Sequence, residues 1–265
     1  MKKYLKHTIC LNFLLLLTFN SVIGQSLEQI LEKHYEAVGA KNMRNIQSIQ
    51  YKGKFDNSYL KDFVVSKKID KKALYPEFEL SVINDQDYTL LIGGSFGPEA
   101  YTFSDKNYWR DQGGAPPEQW IPSKIDRLKI QLFLDIEGFL YNWKEKGFML
   151  KKLDDVVLEN KKCHRLRLIT LEKDTLFYYQ NPENCLISKI SFFQDLAEYL
   201  KSPSYTFTNY KKIKGFQIPF NCVYKTQMFK GPNGYQEMKI EKIKLNPKIN
   251  MEIFSLKNRI NKTKP

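Results

Sequence analysis

Two periods of apolar residues divide the chain. Between Ser26 and Gly39, Leu27, Ile30, Leu31, Tyr35 and Val38 recur at steps of three and four, with His34 on the same stripe. That spacing is one face of an amphipathic helix. Ser26 and Gln29 form a capping box, in which the serine accepts from a free backbone N–H and the glutamine reaches back. Gly39 stands where left-handed backbone stops a helix at little cost. The pattern therefore predicts a helix capped by Ser26 and ended by Gly39. His34 on its stripe reads as a packed or boundary histidine rather than a ligand.

From Ser48 onward the period is two. Leu74, Phe78, Leu80 and Val82 alternate with polar residues, as do Phe216, Ile218, Phe220, Cys222 and Tyr224. Such alternation marks antiparallel strands with one buried and one wet face. The pattern predicts nine to eleven strands, drawn from 48–56, 60–69, 74–83, 86–92, 100–110, 148–154, 163–171, 174–180, 185–193, 205–213, 216–229 and 235–245. Short turns between them, such as Gly231-Pro232-Asn233-Gly234, predict a meander. Along 235–245 the apolar phase slips from Met238 and Ile240 to Ile243 and Leu245, which predicts a β-bulge near Glu241-Lys242. Pro116, Pro117 and Pro122 interrupt the strands, and Ser123-Lys124-Ile125-Asp126 resembles a second helix cap. Ile125, Leu128, Leu132 and Phe133 give that segment an apolar stripe, and Gly138 is its expected stop. The fold class is mainly β: one curved antiparallel sheet with two or three helices against one face.

The first 24 residues obey another logic. Lys2, Lys3 and Lys6 precede an 11-residue apolar run, Ile9 to Phe19, and Val22 and Gly24 suit a cleavage site before Gln25. The run is too short for a roughly 30 Å bilayer core, so it reads as a cleavable secretory signal rather than an anchor. Cys10 lies near its start, which argues against lipid modification of the mature N-terminus. Residues 25–265 are then expected to be one exported, soluble domain.

The net charge is +13, of which the three leader lysines account for three, leaving +10 on the rest. These charges are scattered over alternating strands. With an export signal, that excludes nucleic acid as the expected partner and leaves an anionic membrane surface or polyanions, against the plainer reading of a soluble surface with extra lysine. At 14% aromatic and 42% hydrophobic the chain is not disordered. Of four cysteines, Cys163, Cys185 and Cys222 come after the leader, so at most one disulfide can form. Cys222 on an apolar strand face reads as a buried thiol.

Catalytic chemistry has little to draw on. Only His34 and His164 lie beyond the leader, and Cys163 and His164, adjacent on a strand, point to opposite faces. Gly93-Gly94-Ser95-Phe96-Gly97 matches a nucleophile elbow, but Pro98 to Phe103 alternates like a strand, so the motif reads as a glycine-rich hairpin turn. Asp154-Asp155 reads as a solvated pair in a charged turn. Neither a Walker loop nor a dinucleotide fingerprint is present, so no cofactor, metal or catalytic residue is expected. Aromatics carry the richest signal. Trp109, Trp120, Phe133, Phe139, Tyr141 and Trp143 fall within 35 residues, and with Leu132 they are the candidate wall of an apolar pocket. Ordinary core packing is the competing reading.

Several stretches resemble LolA-like outer-membrane lipoprotein-sorting proteins. They are His34–Ala40 with Ile49–Phe55, Cys163–Leu168 with Tyr178–Pro182 and Leu186–Lys189, Asn209–Pro219, and Lys239–Asn246 followed by Phe254. The chain departs from that pattern where Glu159-Asn160-Lys161-Lys162 replaces an expected glycine and where Glu172-Lys173-Asp174-Thr175 forms a turn. The resemblance implies a strongly curved, unclosed, barrel-like antiparallel sheet with helices covering its concave face. It also implies a non-enzymatic, periplasmic carrier of a lipid or lipoprotein acyl chain. The alternative function is an envelope sensor or scaffold that docks another protein through a basic face.

Overall fold

The computed structural model describes residues 25–57, 74–83, 87–93, 99–104, 107–112, 117–121, 138–192, 203–225 and 235–254. The leader, the 60–69 strand, Ser95, Leu132, Phe133 and the second helix expected after Ser123 lie outside them.

The first helix, α1 (Leu27–Val38), has the expected capping box: Ser26 Oγ accepts from Gln29 N–H, and Gln29 accepts from Ser26 N–H. Gly39 ends it with φ 76°. A β-carbon at Gly39 would also run into the Gly215 carbonyl, so this glycine answers a close approach as well as a turn. A 3₁₀ turn, Ala40–Asn45, leads into the sheet. Among the described residues α1 is the sole α-helix, so two or three helices are not what the described chain shows.

Among the described residues fourteen strands come after it: β1 (Ser48–Asp56), β2 (Glu77–Ile83), β3 (Asp87–Ile92), β4 (Glu99–Ser104), β5 (Asn107–Gln112), β6 (Glu118–Gln119), β7 (Met149–Lys152), β8 (Val156–Leu158), β9 (Lys161–Ile169), β10 (Thr175–Gln180), β11 (Ile187–Ser191), β12 (Ser204–Ile213), β13 (Phe216–Lys225) and β14 (Tyr235–Leu245). They form one antiparallel sheet in the order β6-β5-β4-β3-β2-β1-β14-β13-β12-β11-β10-β9-β7, with β8 also on β9. The order has two ends, so the sheet is not closed into a barrel. Two meanders built from local hairpins meet at one long-range seam, β1 against β14.

The phase slip in β14 is a bulge at that seam. Lys52 faces Lys242, but Gly53 faces Ile240, so Glu241 is the extra residue. Insertion of one residue returns Ile243 and Leu245 to the face already holding Met238 and Ile240. Gly53 makes this possible: a β-carbon there would collide with the Lys239 carbonyl.

The strand count exceeds nine to eleven for local reasons. The expected 100–110 strand is two, because Ser104 pairs with Asn107 across a hairpin hidden in an alternating run. β8 escaped notice because three residues hold no period. Its hairpin to β9 turns on Glu159 (φ 50°) and Asn160 (φ 63°), non-glycine residues in left-handed backbone where a glycine was expected. Ile92 pairs with Glu99, so the Gly93–Gly97 motif joins antiparallel neighbours and leads into a strand. A nucleophile elbow needs a helix there.

Cross-strand register separates two faces. The inner face, packed on α1, carries rows such as Leu166–Tyr178–Ile190–Tyr205–Tyr224. With Ile30 and Leu31 of α1, Phe78, Leu80 and Val82 of β2, and Met238 and Ile240 of β14, these residues form one core. The outer face has its own small core near the β9 edge, where Cys163, Phe177 and Tyr179 lie under Leu153, Val156 and Leu158. Cys163 and His164 thus do point to opposite faces. Cys163, Cys185 and Cys222 are all free thiols, and burial pushes those of Cys163 and Cys222 up.

Asp155 corrects the solvated reading of Asp154-Asp155. Its carboxylate lies 2.9 Å from His164 Nδ1, 3.3 Å from Lys162 Nζ and 3.6 Å from Lys152 Nζ. Burial works to raise its carboxyl, but the His164, Lys162 and Lys152 interactions outweigh that and hold it below the ordinary value. A depressed carboxyl contributes stability above its unfolded pKa, and the contribution is lost as pH falls through the lower folded value. Asp155→Asn is expected to cost about 1–2 kcal/mol at neutral pH by urea denaturation. That difference should shrink as pH drops below the carboxylate range.

Candidate functional site

Between α1 and the inner face lies a mainly apolar cavity of about 230 Å³. Its roof is His34 and Val38 of α1, Met43 of the 3₁₀ turn, Ile46 just after it, and Phe139 and Leu140 of the 138–147 turns. Its floor comes from β1 and β10–β14, including Ile187, Ile190, Tyr205, Cys222, Met238 and Ile240. The floor is wide because a second bulge sits in β11. Tyr179 faces Lys189 but Gln180 faces Ile187, so Ser188 is extra. Ile187 and Ile190 therefore reach the inner face together, three residues apart.

Polar contacts fasten α1 over this cavity. Gln180 Nε2 donates to the Ile30 carbonyl (3.2 Å) and to the Cys185 carbonyl (3.1 Å). His34 Nδ1 lies 2.9 Å from that same Cys185 oxygen, which can only accept, so Nδ1 carries the proton. The Tyr35 hydroxyl donates to the Leu140 carbonyl. Burial and the neighbouring Tyr141 push that hydroxyl up to about 12, so it stays a donor at physiological pH.

His34 is held below its ordinary pKa by burial, against the raising effect of the Cys185 carbonyl. The unfolded chain then binds a proton more readily than the folded one, so stability is full above about pH 6.5 and falls below it. The urea midpoint is expected to drop between pH 7 and pH 5, and His34→Gln should remove that part of the drop. The Asp155 contribution lies in a separate, more acidic window.

The predicted aromatic wall divides into two groups. Phe139 lines the cavity. Tyr141 packs edge-on against Tyr35 at 5.2 Å, and Trp143 packs on the inner core, both within the roof segment. Trp120 stands at the far sheet edge, edge-on to Tyr101 and Tyr108, and packs on the same inner core without lining the cavity. Trp109 faces Thr102, which faces Thr89 and then Ser81, a buried polar row on the outer face. Leu132 and Phe133 fall outside the described residues. Sequence reading missed Gln180, which is 1% exposed. Its one trace was a glutamine in phase with Leu176 and Tyr178 on an otherwise apolar face.

Among the described residues no three His, Cys, Asp or Glu side chains are grouped to hold a metal, and no helix is long and apolar enough to cross a membrane.

No protein-family model and no curated protein matches this chain. Solved structures do. A LolA superfamily protein from Nitrosomonas europaea matches with TM-score 0.56 at 14% identity, over 88% of this chain and 98% of that one. A DUF1329 family protein from Desulfovibrio piger matches with TM-score 0.54 at 10% identity, over 87% and 98%. A domain described as an outer membrane lipoprotein-sorting protein, from Vibrio parahaemolyticus, matches with TM-score 0.50 at 11% identity, over 84% and 95%. Identities this low speak for the fold alone, and the unclosed antiparallel sheet with its helix-covered inner face is a LolA-like fold.

Proposed function

We propose that the protein is a non-enzymatic carrier that holds an acyl chain of a lipid or lipoprotein against the inner face of its sheet. The observation that carries this reading is the apolar cavity of about 230 Å³ between α1 and strands β1 and β10–β14. An exposed alkyl chain costs about 0.8 kcal/mol per CH₂ in water, so a soluble carrier needs such a shelter. The volume lies just below the roughly 300–1,000 Å³ of common ligand sites, which favours one chain over a three-chain anchor. The likeness to a lipoprotein-sorting domain supports the same class.

In this reading Phe139 is cavity wall, and Tyr141 and Trp143 brace the roof. Trp109 and Trp120 belong to the opposite end of the sheet and play no part in the cavity. The leader 1–24 would deliver residues 25–265 to the periplasm as one domain without a cofactor. Native mass spectrometry of the protein purified from its envelope is expected to show a co-purifying lipid. A delipidated sample should bind a fluorescent fatty acid. Absence of both would overturn the carrier reading.

A second reading has its own observation. On the outer face, register sets Lys151 beside Arg167, and Arg165, Tyr179 and Lys189 in one row, with Lys225 one row over. Such a face suits an anionic envelope partner. Binding through it should weaken steeply as salt rises, whereas acyl-chain binding should not.

A further inference from the structure

The sheet parts between β11 and β12. Their ladder covers three pairs, Ser191–Ser204, Ile190–Tyr205 and Lys189–Thr206, although β12 continues to Ile213. Beyond Lys189–Thr206, β12 pairs with β13 on its other side, and the Tyr210 hydroxyl spans to the Ile187 carbonyl at 2.7 Å. Two features prepare this gap. The Ser188 bulge turns β11 aside, and Asn209, just before Tyr210 in β12, takes left-handed backbone (φ 54°).

A second cavity of about 470 Å³ lies on the outer side of the gap. It is far more polar than the first. Lys161, Lys189, Asn181, Asn184, Ser188 and Thr208 supply donors, and Glu159 is the one carboxylate among the described lining residues. Ile187, Phe207, Tyr210 and Gln217 belong to the walls of both cavities, so the apolar and polar spaces meet at the β11–β12 gap.

An apolar space that opens into a donor-rich, cationic one matches an amphiphile in outline. We infer that the outer groove is the head-group site of the ligand whose chain occupies the inner cavity, and that the head is anionic, a phosphate or carboxylate held by Lys189 and Lys161. The inference rests on the carrier reading and adds the ligand's chemical class to it.

Electrostatics agree with the geometry. Burial and the Lys225 charge pull the Lys189 amine down to about 8, against Glu159. An anion in the groove would offset that cost. A lysine beside a phosphate or carboxylate forms the stronger, charge-assisted hydrogen bonds.

The test compares dodecyl phosphate, dodecanol and inorganic phosphate by calorimetry on the delipidated protein. Dodecyl phosphate is expected to bind at least tenfold more tightly than dodecanol, with inorganic phosphate weak on its own. Lys189→Gln, and separately Lys161→Gln, should remove most of that preference while leaving dodecanol affinity unchanged, which also reports an intact fold. Equal affinity for phosphate and alcohol would overturn the head-group site and leave the carrier reading standing. Binding of neither alkyl ligand would overturn the carrier reading itself. Tight inorganic phosphate binding that dodecyl phosphate does not displace would make the groove a free-anion site and overturn the inference as well.

Discussion

Gly53→Ala is expected to destabilise the protein by about 3 kcal/mol, or to prevent folding at 37 °C. Gly53 sits opposite the bulged Glu241 at the seam that joins the two meanders. An added β-carbon would collide with the Lys239 carbonyl and approach Phe78 Cε1 to 2.9 Å. Neither neighbour has room to yield: the carbonyl belongs to the β14 backbone, and Phe78 is 3% exposed in the core. Relief would require β1 and β14 to separate, and with them the one long-range pairing that closes the inner core. Gly93→Ala is the control. Its nearest neighbour would be the Glu77 carbonyl at 3.6 Å, an ordinary contact, so it should be close to neutral. Urea midpoints of the two variants measure the difference. Equal midpoints would show that the seam does not depend on a glycine.

Cys222→Phe is expected to weaken fatty-acid binding at least tenfold. Cys222 lies on the cavity floor, opposite Phe207 on β12 and Met238 on β14. A phenyl ring there takes a large share of about 230 Å³. Overpacking also costs about 1–3 kcal/mol of stability, so binding must be separated from folding. Leu168→Ala does that. Leu168 is fully buried in the same core but is not part of the cavity wall, so it should lose about 2–5 kcal/mol and still bind. Fluorescent fatty-acid titration of both variants decides the matter. If Cys222→Phe binds like the unaltered protein, the ligand does not occupy this cavity.

Much of the architecture was legible because it is written locally. The Ser26–Gln29 box, Gly39 and the stripe of α1 lie within one helix. β1, β12 and β14 were legible because nine or more alternating residues fix both period and phase. Even the β14 bulge showed as a one-residue slip in that phase. β8 and the Ser104–Asn107 hairpin did not show, since three residues or a single polar turn leave no periodic trace.

The site was less legible. Proximity in sequence drew Trp109, Trp120, Phe139, Tyr141 and Trp143 into one group, yet the sheet carries the first two to its far end. Trp109 is also on the outer face, by the same two-residue alternation that places Thr102 there. Gln180 looked unremarkable because its partner is distant, the Ile30 carbonyl lying 150 residues away in sequence, and Asp155 looked solvated because His164, only nine residues on, reaches it through the β8–β9 hairpin that left no periodic trace.

The sequence by itself determined the elements, their period and the mainly antiparallel sheet, because each of these depends on neighbours a few residues away. The tertiary structure decided where the cavity lies, which residues roof it, and that β11 and β12 part to join it to a polar groove. Those features depend on pairings between residues far apart, β1 with β14 and α1 with the β10–β11 loop. A local pattern carries no record of them until the chain has closed.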